Sequence, residues 1–429
     1  MKTFKFPLRA EWEELTKRAV DNQQDVMEKV RPILEAVKNH KDKAIRELSA
    51  KFDGISLSNI QVSEEEIRKG CLDVDSNLKG AINSAIINIR KFHESQKQPV
   101  RKVETSPGVI CWQRTTPIEK IGLYIPGGTA PLFSTVLMLA IPASIAGCKE
   151  IVLCTPPGKD GKIHPAILLA AHLTGVTRIF KVGGAQAIAA MAYGTETIPK
   201  VDKIFGPGNS YVTAAKQLVT LDGTAIDLPA GPSEVEVMAD ESANPEFVAS
   251  DLLSQSEHGP DSQSILVTNS PKLAEEVKEK LNKQLALLPR AEITKKALAN
   301  SRIILLKNMH EMVAFTNLYA PEHLILAIRN PEDIAEEIVN AGSVFLGNYT
   351  PESAGDYASG TNHTLPTYGY AKVYSGVNLD SFCKKITFQQ ISKKGLKQLG
   401  PIIETMAEAE QLEAHKMAVA IRLKNTGPL

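Results

Sequence analysis

The chain has 429 residues, 43% of them apolar, and carries 49 basic and 49 acidic side chains. Such a length calls for two or three folding units, and such a composition supports sizeable cores. The even charge gives no electrostatic case for nucleic acid or an anionic membrane as partner.

The opening MKTFKFPLRAEWEELTKRAV has no signal-peptide pattern, and residues 1–20 read as an N-terminal helical arm. The following stretch, to about residue 105, is charged and mostly helical. Within it Ala81, Ile82, Ala85, Ile86 and Ile89 recur at helical spacing. From about residue 118 apolar runs alternate with helices: IGLYI, TVLMLAIPASIAG, EIVLCT, AILLAAHLTG, RIFKV, AQAIAAMAYG and KIFG. Short continuous apolar strands between helices predict a parallel sheet covered on both faces.

A second set follows, with strands VEVMAD, SILVTN, RIILLK and SVFLG. Asn244-Pro245-Glu246 marks a helix start: a capping Asn, Pro at the first position and an acid in the first turn. The fold expected is α/β, with two open, incomplete Rossmann-like parallel-sheet domains and a helical C-terminal arm. Residues 21–115 with 236–380 would form the first α/β domain and hold metal and catalytic loops. Residues 116–235 would form the second, with the nucleotide loops, and 381–429 the helical tail.

The five cysteines (Cys71, Cys111, Cys148, Cys154, Cys383) are scattered and include no C-x-x-C. They suggest neither a disulfide framework nor a thiolate zinc site, and fit a reducing cytoplasm. Cys148 and Cys154 lie in apolar segments and read as buried bystanders.

Chemistry is expected beyond the carboxyl ends of the strands. Pro126-Gly127-Gly128-Thr129, Gly183-Gly184-Ala185-Gln186 and Pro207-Gly208-Asn209 each join a strand to a helix start. Glycines admit backbone N–H groups close to a phosphate, and a helix N-terminus favours the anion. None of the three is a G-x-G-x-x-G.

In LLSQSEHGPDSQ, Gln255 and His258 fall at i and i+3, on one face of a last helical turn, and Glu257 points elsewhere. In APEHL, Pro321 holds the chain extended, so Glu322 and His323 should face opposite ways. GDYASGTNHTLPTYG reads as a long loop offering Asp356 and His363. In the tail, Glu410 and His415 stand five residues apart, about 140° around a helix, so one continuous helix would not aim both at one point.

Taken together, YIPGGTAPLFSTVLM, VGGAQAIAAMAYGT, GPGNSYVTAAK, DLPAGPSEV, LLSQSEHGPDSQ, YAPEHL, GDYASGTNHTLPT and EAHK resemble the histidinol dehydrogenases. The resemblance runs in order from about residue 20 to 425, and QSEH departs from the commoner QAEH only at an intervening residue. It implies oxidation of L-histidinol to L-histidine through the aldehyde, by two hydride transfers to NAD, at the end of histidine biosynthesis. It implies one zinc per subunit, held by Gln255, His258, Asp356 and His415, a nitrogen and oxygen set that zinc accepts. Manganese or cobalt could occupy the same set. Histidinol would add its own nitrogens, the metal acting as an orienting template.

The same resemblance makes Glu322 and His323 the acid–base pair. Ser233, His363 and Glu410 become substrate contacts, alongside His323 and the ligand residues. Tyr124, Gln186 and Asn209 would line the NAD site. The family is a homodimer whose tail crosses to the partner, which would bring His415 to the other subunit's metal. Two rivals differ in class. A zinc hydrolase would use similar groups, but no HExxH-type motif is present. A phosphate-ligand binding module would need no metal.

Overall fold

The computed structural model describes residues 1–18, 23–127, 130–229 and 231–425. Its strands, in chain order, are β1 (Lys2–Lys5), β2 (Lys102–Ser106), β3 (Val109–Pro117), β4 (Lys120–Tyr124), β5 (Glu150–Thr155), β6 (Arg178–Lys181), β7 (Lys203–Phe205), β8 (Ala225–Ile226), β9 (Glu234–Ala239), β10 (Gln263–Thr268), β11 (Arg302–Leu305), β12 (His323–Ala327), β13 (Ser343–Leu346) and β14 (Cys383–Ile391). They form two parallel sheets, β6-β5-β4-β7-β8 and β1-β11-β10-β9-β12-β13, and a small antiparallel one, β14-β3-β2. The chain divides into two compact units: Met1–Gln96 with Ile118–Phe382, and Lys97–Pro117 with the segment from Cys383 onward.

In the first unit both parallel sheets are covered on two faces, as the continuous apolar runs require. Along β4 and β5, Ile121, Leu123, Ile151 and Leu153 enter one core, whereas Tyr124, Val152 and Cys154 enter another. That is the two-residue alternation of strands. In the other sheet Val235, Val237, Leu266 and Ile325 point one way, and Met238, Ile265, Val267 and Leu324 the other. Fully burying each such aliphatic side chain contributes about 1.5–3 kcal/mol. Among the described residues no helix is long and apolar enough to cross a membrane.

Three expectations need correction. The N-terminal arm begins as a strand: β1 adds in parallel to β11, and only the short turns Arg9–Glu11 and Trp12–Leu15 are helical. Residues 19 and 20 of that arm lie outside the described residues. Second, the early helices pack on the β4–β8 sheet, not on the β9–β13 sheet. Helix Gln23–Phe52 lies on helices Gly184–Tyr193 and Ser210–Thr220, Glu64–Asp73 on Pro165–Thr174, and Ser76–Glu94 on Phe133–Ala146. An apolar stripe says that a helix packs, not on which sheet. Third, the tail is not helical from its start: β14 pairs with β3, 266 residues earlier at the Cys383–Pro117 register (383 − 117).

One polar side chain sits in the middle of a sheet. Glu236 of β9 is fully buried, accepts a hydrogen bond from Thr316 Oγ1 and leaves Oε2 without a partner. Burial pushes its carboxyl up to about 8, with Thr316 and Arg18 opposing and Glu234 adding. The sign follows from linkage. Between the ordinary value of 4.5 and about 8 the folded chain holds a proton that the unfolded chain has lost. Stability therefore falls with rising pH across that window, by at most about 1.4 kcal/mol per pH unit. Glu236→Gln keeps an acceptor for Thr316 and removes the titration. Denaturant unfolding at pH 5 and 8.5 should show a smaller loss in the variant than in the parent; an equal loss would show that Glu236 does not drive the decline.

Candidate active site

Around β4 the chain steps outward through β5 to β6, then returns to start again at β7. The crevice between the carboxyl ends of β4 and β7 is thus a topological switch point, where open α/β sheets bind ligands. Tyr124 ends β4, Gly183–Gln186 follow β6, and Gly206–Asn209 follow β7. Tyr124, Gln186 and Asn209 line one cavity of about 1540 Å³, room enough for a dinucleotide. Gly128 and Thr129 of the first glycine loop lie outside the described residues.

Much of this wall is internally braced. The Asn209 side chain caps its helix by accepting from Val212 N at 3.1 Å. Gly184 N donates to the Tyr124 hydroxyl at 3.0 Å, so that hydroxyl keeps its proton to offer elsewhere. Burial pushes the Tyr124 phenol up to about 12, so it stays a neutral donor at ordinary pH. Gly206 has φ +127°, and a Cβ there would meet Tyr124 O at 2.1 Å, so only glycine lets the two loops touch. The buried Lys216–Asp227 ion pair holds Gly206 from both ends: Lys216 Nζ donates to its carbonyl and its N–H donates to Asp227, each at 2.8 Å.

A second group gathers at the carboxyl ends of helices and the start of β12. Helix Pro245–Ser256 begins at the Asn244 cap as expected and ends at Ser256, with Glu257 as its C-cap. His258 therefore lies just past the helix, tied back by its N–H to Gln255 O at 3.3 Å. Gln255 is buried, and its Oε1 has no hydrogen-bond partner. Its Nε2 donates to Glu322 Oε2 at 3.4 Å. An orphaned buried amide oxygen costs about 1–3 kcal/mol unless something accepts its lone pair.

Asp356 sits on a short helix, Glu352–Tyr357, not in the loop expected from Gly355 onward. Pro351 opens that helix and places Glu352 and Asp356 one turn apart on one face. Carboxylate oxygens of Glu352 and Asp356 and a ring nitrogen of the exposed His258 all lie within 4.8 Å of one another. Glu352 was missed by sequence reading, although its i, i+4 spacing from Asp356 was a usable signal. Its carboxyl is pushed well up by burial and by Asp356, Glu322 and Asp251, with His323 opposing.

Glu322 and His323 do not face opposite ways. Both are buried, and His323 Nδ1 lies 3.6 Å from Glu322 Oε2. Strand alternation does not apply, because β12 starts only at His323 and Glu322 follows the left-handed Ala320 (φ 55°). His323 Nε2 is 3.4 Å from Asp356 Oδ1 without the alignment of a hydrogen bond, and is otherwise unpartnered. Burial alone would lower the His323 pKa, but Glu322, Glu352 and Asp356 outweigh it and hold it well above its usual range. Positive charge held by those carboxylates would act in the opposite sense, towards a neutral imidazole. Burial pushes the Glu322 carboxyl up, His323 opposing.

Of the remaining expected residues, Ser233 and His363 adjoin this group, and Glu410 and His415 belong to the second unit. Ser233 immediately precedes β9. His363 has both ring nitrogens engaged, Nδ1 with Asp356 O at 2.9 Å and Nε2 with Thr135 Oγ1 at 3.2 Å. Glu410 and His415 are exposed. Helices Lys393–Ala409 and Glu413–Lys424 break between them, where Gln411 takes φ 58°, so no continuous helix fixes their relative direction.

The donor set suits a metal of zinc's preference: an orphaned amide oxygen, an imidazole and two carboxylates, with no thiolate. Comparison with known proteins identifies a family over nearly the whole length. A family model described as histidinol dehydrogenase matches residues 16–423. The histidinol dehydrogenase of Bacteroides thetaiotaomicron is 62% identical over 423 residues, 99% of each chain. That of Escherichia coli K12 is 55% identical, covering 95% of this chain and 94% of its own. The crystal structure of histidinol dehydrogenase from Elizabethkingia anophelis superposes with a TM-score of 0.97 at 57% identity, over 99% of this chain and 98% of that one.

Proposed function

We propose that this chain, which belongs to the histidinol dehydrogenase family and so oxidises L-histidinol to L-histidine with NAD, does its proton chemistry at Glu322 and His323 beside a metal held by Gln255, His258 and Asp356. The observation that carries this reading is the buried Glu322–His323 pair lying against the His258–Glu352–Asp356 cluster, with Gln255 Oε1 left unpartnered. Zinc bound there would supply a fixed positive charge that orients the substrate's nitrogens. Tyr124, Gln186 and Asn209 line the cavity that would hold NAD, which would supply the hydride acceptor.

The net reaction consumes one alcohol, two NAD and one water, and yields one carboxylate, two NADH and three protons. His323 takes the hydroxyl proton through Nε2 as the carbon loses hydride. In the second half Glu322 draws a proton from the water that adds to the aldehyde, and His323 again removes a proton from the hydrate. Burial keeps both groups out of bulk water, which limits loss of the aldehyde between halves. Ser233 and His363 border this site and would contact the substrate. For His363 that requires releasing Thr135 or sharing it.

We place His415 and Glu410 in the site of a second copy of the chain. Ile402, Met406, Met417 and Ile421 of the two tail helices, and Leu412 between them, are exposed apolar side chains that a homodimer would cover. The five scattered cysteines, with no C-x-x-C, fit a reducing, cytoplasmic setting.

The overall reading is tested by counting NADH released per histidine formed, with and without chelator. Two per histidine, lost on chelation and restored by zinc, is expected; one per product, or full activity after the metal is removed, refutes it. Sharing of the tail is tested by mixing His415→Ala and His258→Ala subunits. Random exchange should return about a quarter of parental activity, since half the dimers would carry one intact site. No recovery in verified heterodimers would mean that each site is completed within one subunit.

A further inference from the structure

Glu234 opens β9 and touches both members of the acid–base pair through its main chain. Its N–H donates to Glu322 Oε2 at 2.8 Å, and its carbonyl oxygen lies 3.4 Å from His323 Nδ1. A carbonyl can only accept, so this contact asks Nδ1 to carry the proton and leaves Nε2 as the lone-pair nitrogen. Nε2 is the atom without a hydrogen-bond partner. The place of the Glu234 peptide thus governs both where the carboxylate sits and which nitrogen of His323 is basic.

What holds that peptide is a buried polar knot. Glu234 Oε2 accepts from Arg18 Nε at 2.7 Å and from the Tyr319 hydroxyl at 2.9 Å. Arg18 Nη2 donates to Tyr319 O at 2.8 Å, and the guanidinium lies over the Tyr319 ring, 3.7 Å from its centroid. Tyr319 ends helix Met309–Tyr319, and the chain then turns through Ala320 and Pro321 straight into Glu322. Arg18 therefore grips two segments at once, the start of β9 and the chain that delivers Glu322. Nothing in an N-terminal Lys-Arg would single it out from sequence.

We propose that Arg18, the Glu234 carboxylate and Tyr319 act as positioning residues for the oxidation: they fix the Glu234 peptide, which orients Glu322 and sets the His323 tautomer. This rests on the reading of His323 as the base. The cost of breaking a buried ion pair makes Arg18→Ala a poor probe, because the chain could lose its fold. Tyr319→Phe removes one hydroxyl and keeps the ring, and Arg18→Lys keeps the charge but loses the two-point grip.

Both variants should lower kcat on L-histidinol by about tenfold, as for other residues that orient a reacting group from behind. KM for L-histidinol and for NAD should stay within about twofold, and zinc content should equal the parent's. The deciding measurement is a double-mutant cycle with His323→Asn in the full-length enzyme. Tyr319→Phe should lose most of its effect once His323 is gone, the remainder running through Glu322. If Tyr319→Phe leaves kcat unchanged, raises KM instead, or keeps its full effect in the His323→Asn background, the positioning role is wrong. If His323→Asn itself retains parental activity, the reading of His323 as base fails instead. Should Arg18→Lys not fold, Tyr319→Phe alone decides.

Discussion

His323→Asn should lower kcat on both L-histidinol and L-histidinal by about 10²–10⁴-fold, the usual worth of a positioned general base, while bound zinc is retained. Asparagine keeps a donor near Glu234 O but offers no basic nitrogen where Nε2 stood. Both halves of the reaction remove a proton as hydride leaves, so both should suffer. Glu322→Gln makes the contrast. It keeps an acceptor for Glu234 N, yet cannot draw a proton from water. Aldehyde oxidation should fall well below aldehyde formation in that variant. Separate rates on the two substrates decide, and an equal fall on both would sink the division of labour.

The second large effect is on metal affinity. Asp356→Ala should weaken zinc binding by more than about 100-fold, beyond the 10–100-fold typical of residues that only support ligands, and activity should vanish after dialysis. Glu352→Gln should fall within the supporting range, with activity recovered at raised zinc. The geometry makes the pair a sharp comparison, since both carboxylates stand within the same 4.8 Å cluster with His258. Metal content after dialysis, alongside activity at graded zinc, separates them. If Glu352→Gln strips the metal and Asp356→Ala does not, the ligand assignment must be exchanged.

The two parallel sheets were legible because buried strands announce themselves as unbroken apolar runs, and Asn244-Pro245-Glu246 declared its helix by cap chemistry alone. Gln255 and His258 were read as one face of a last helical turn, but the helix stops at Ser256 with Glu257 as its cap, so helical spacing does not fix where His258 points. The partner of the early helices was not legible, since an amphipathic face is satisfied by either sheet. The antiparallel sheet was hidden because β14 is polar and largely exposed, β3 is only half-buried, and the two are far apart in sequence. Glu322 and His323 were misjudged by applying strand geometry one residue too early. Glu234 was invisible in principle: its contacts with the acid–base pair run through the main chain, which every residue possesses.

The parallel pairing of β1 with β11 also has a consequence for synthesis. Lys2 pairs with Arg302, which is 300 residues later (302 − 2). At about 5–20 residues per second, β1 leaves the ribosome roughly 15–60 s before its partner exists. For that interval it is an unmatched edge beside a growing chain, the situation that invites wrong strand pairing. Its sequence KTFK meets the hazard with a lysine at each end and four residues in all, too short and too charged to template a neighbour. The knot around Glu234 closes late as well, since Arg18 must wait for Tyr319. A nascent chain halted before residue 302 would hold a built cofactor crevice and neither Glu322 nor His323.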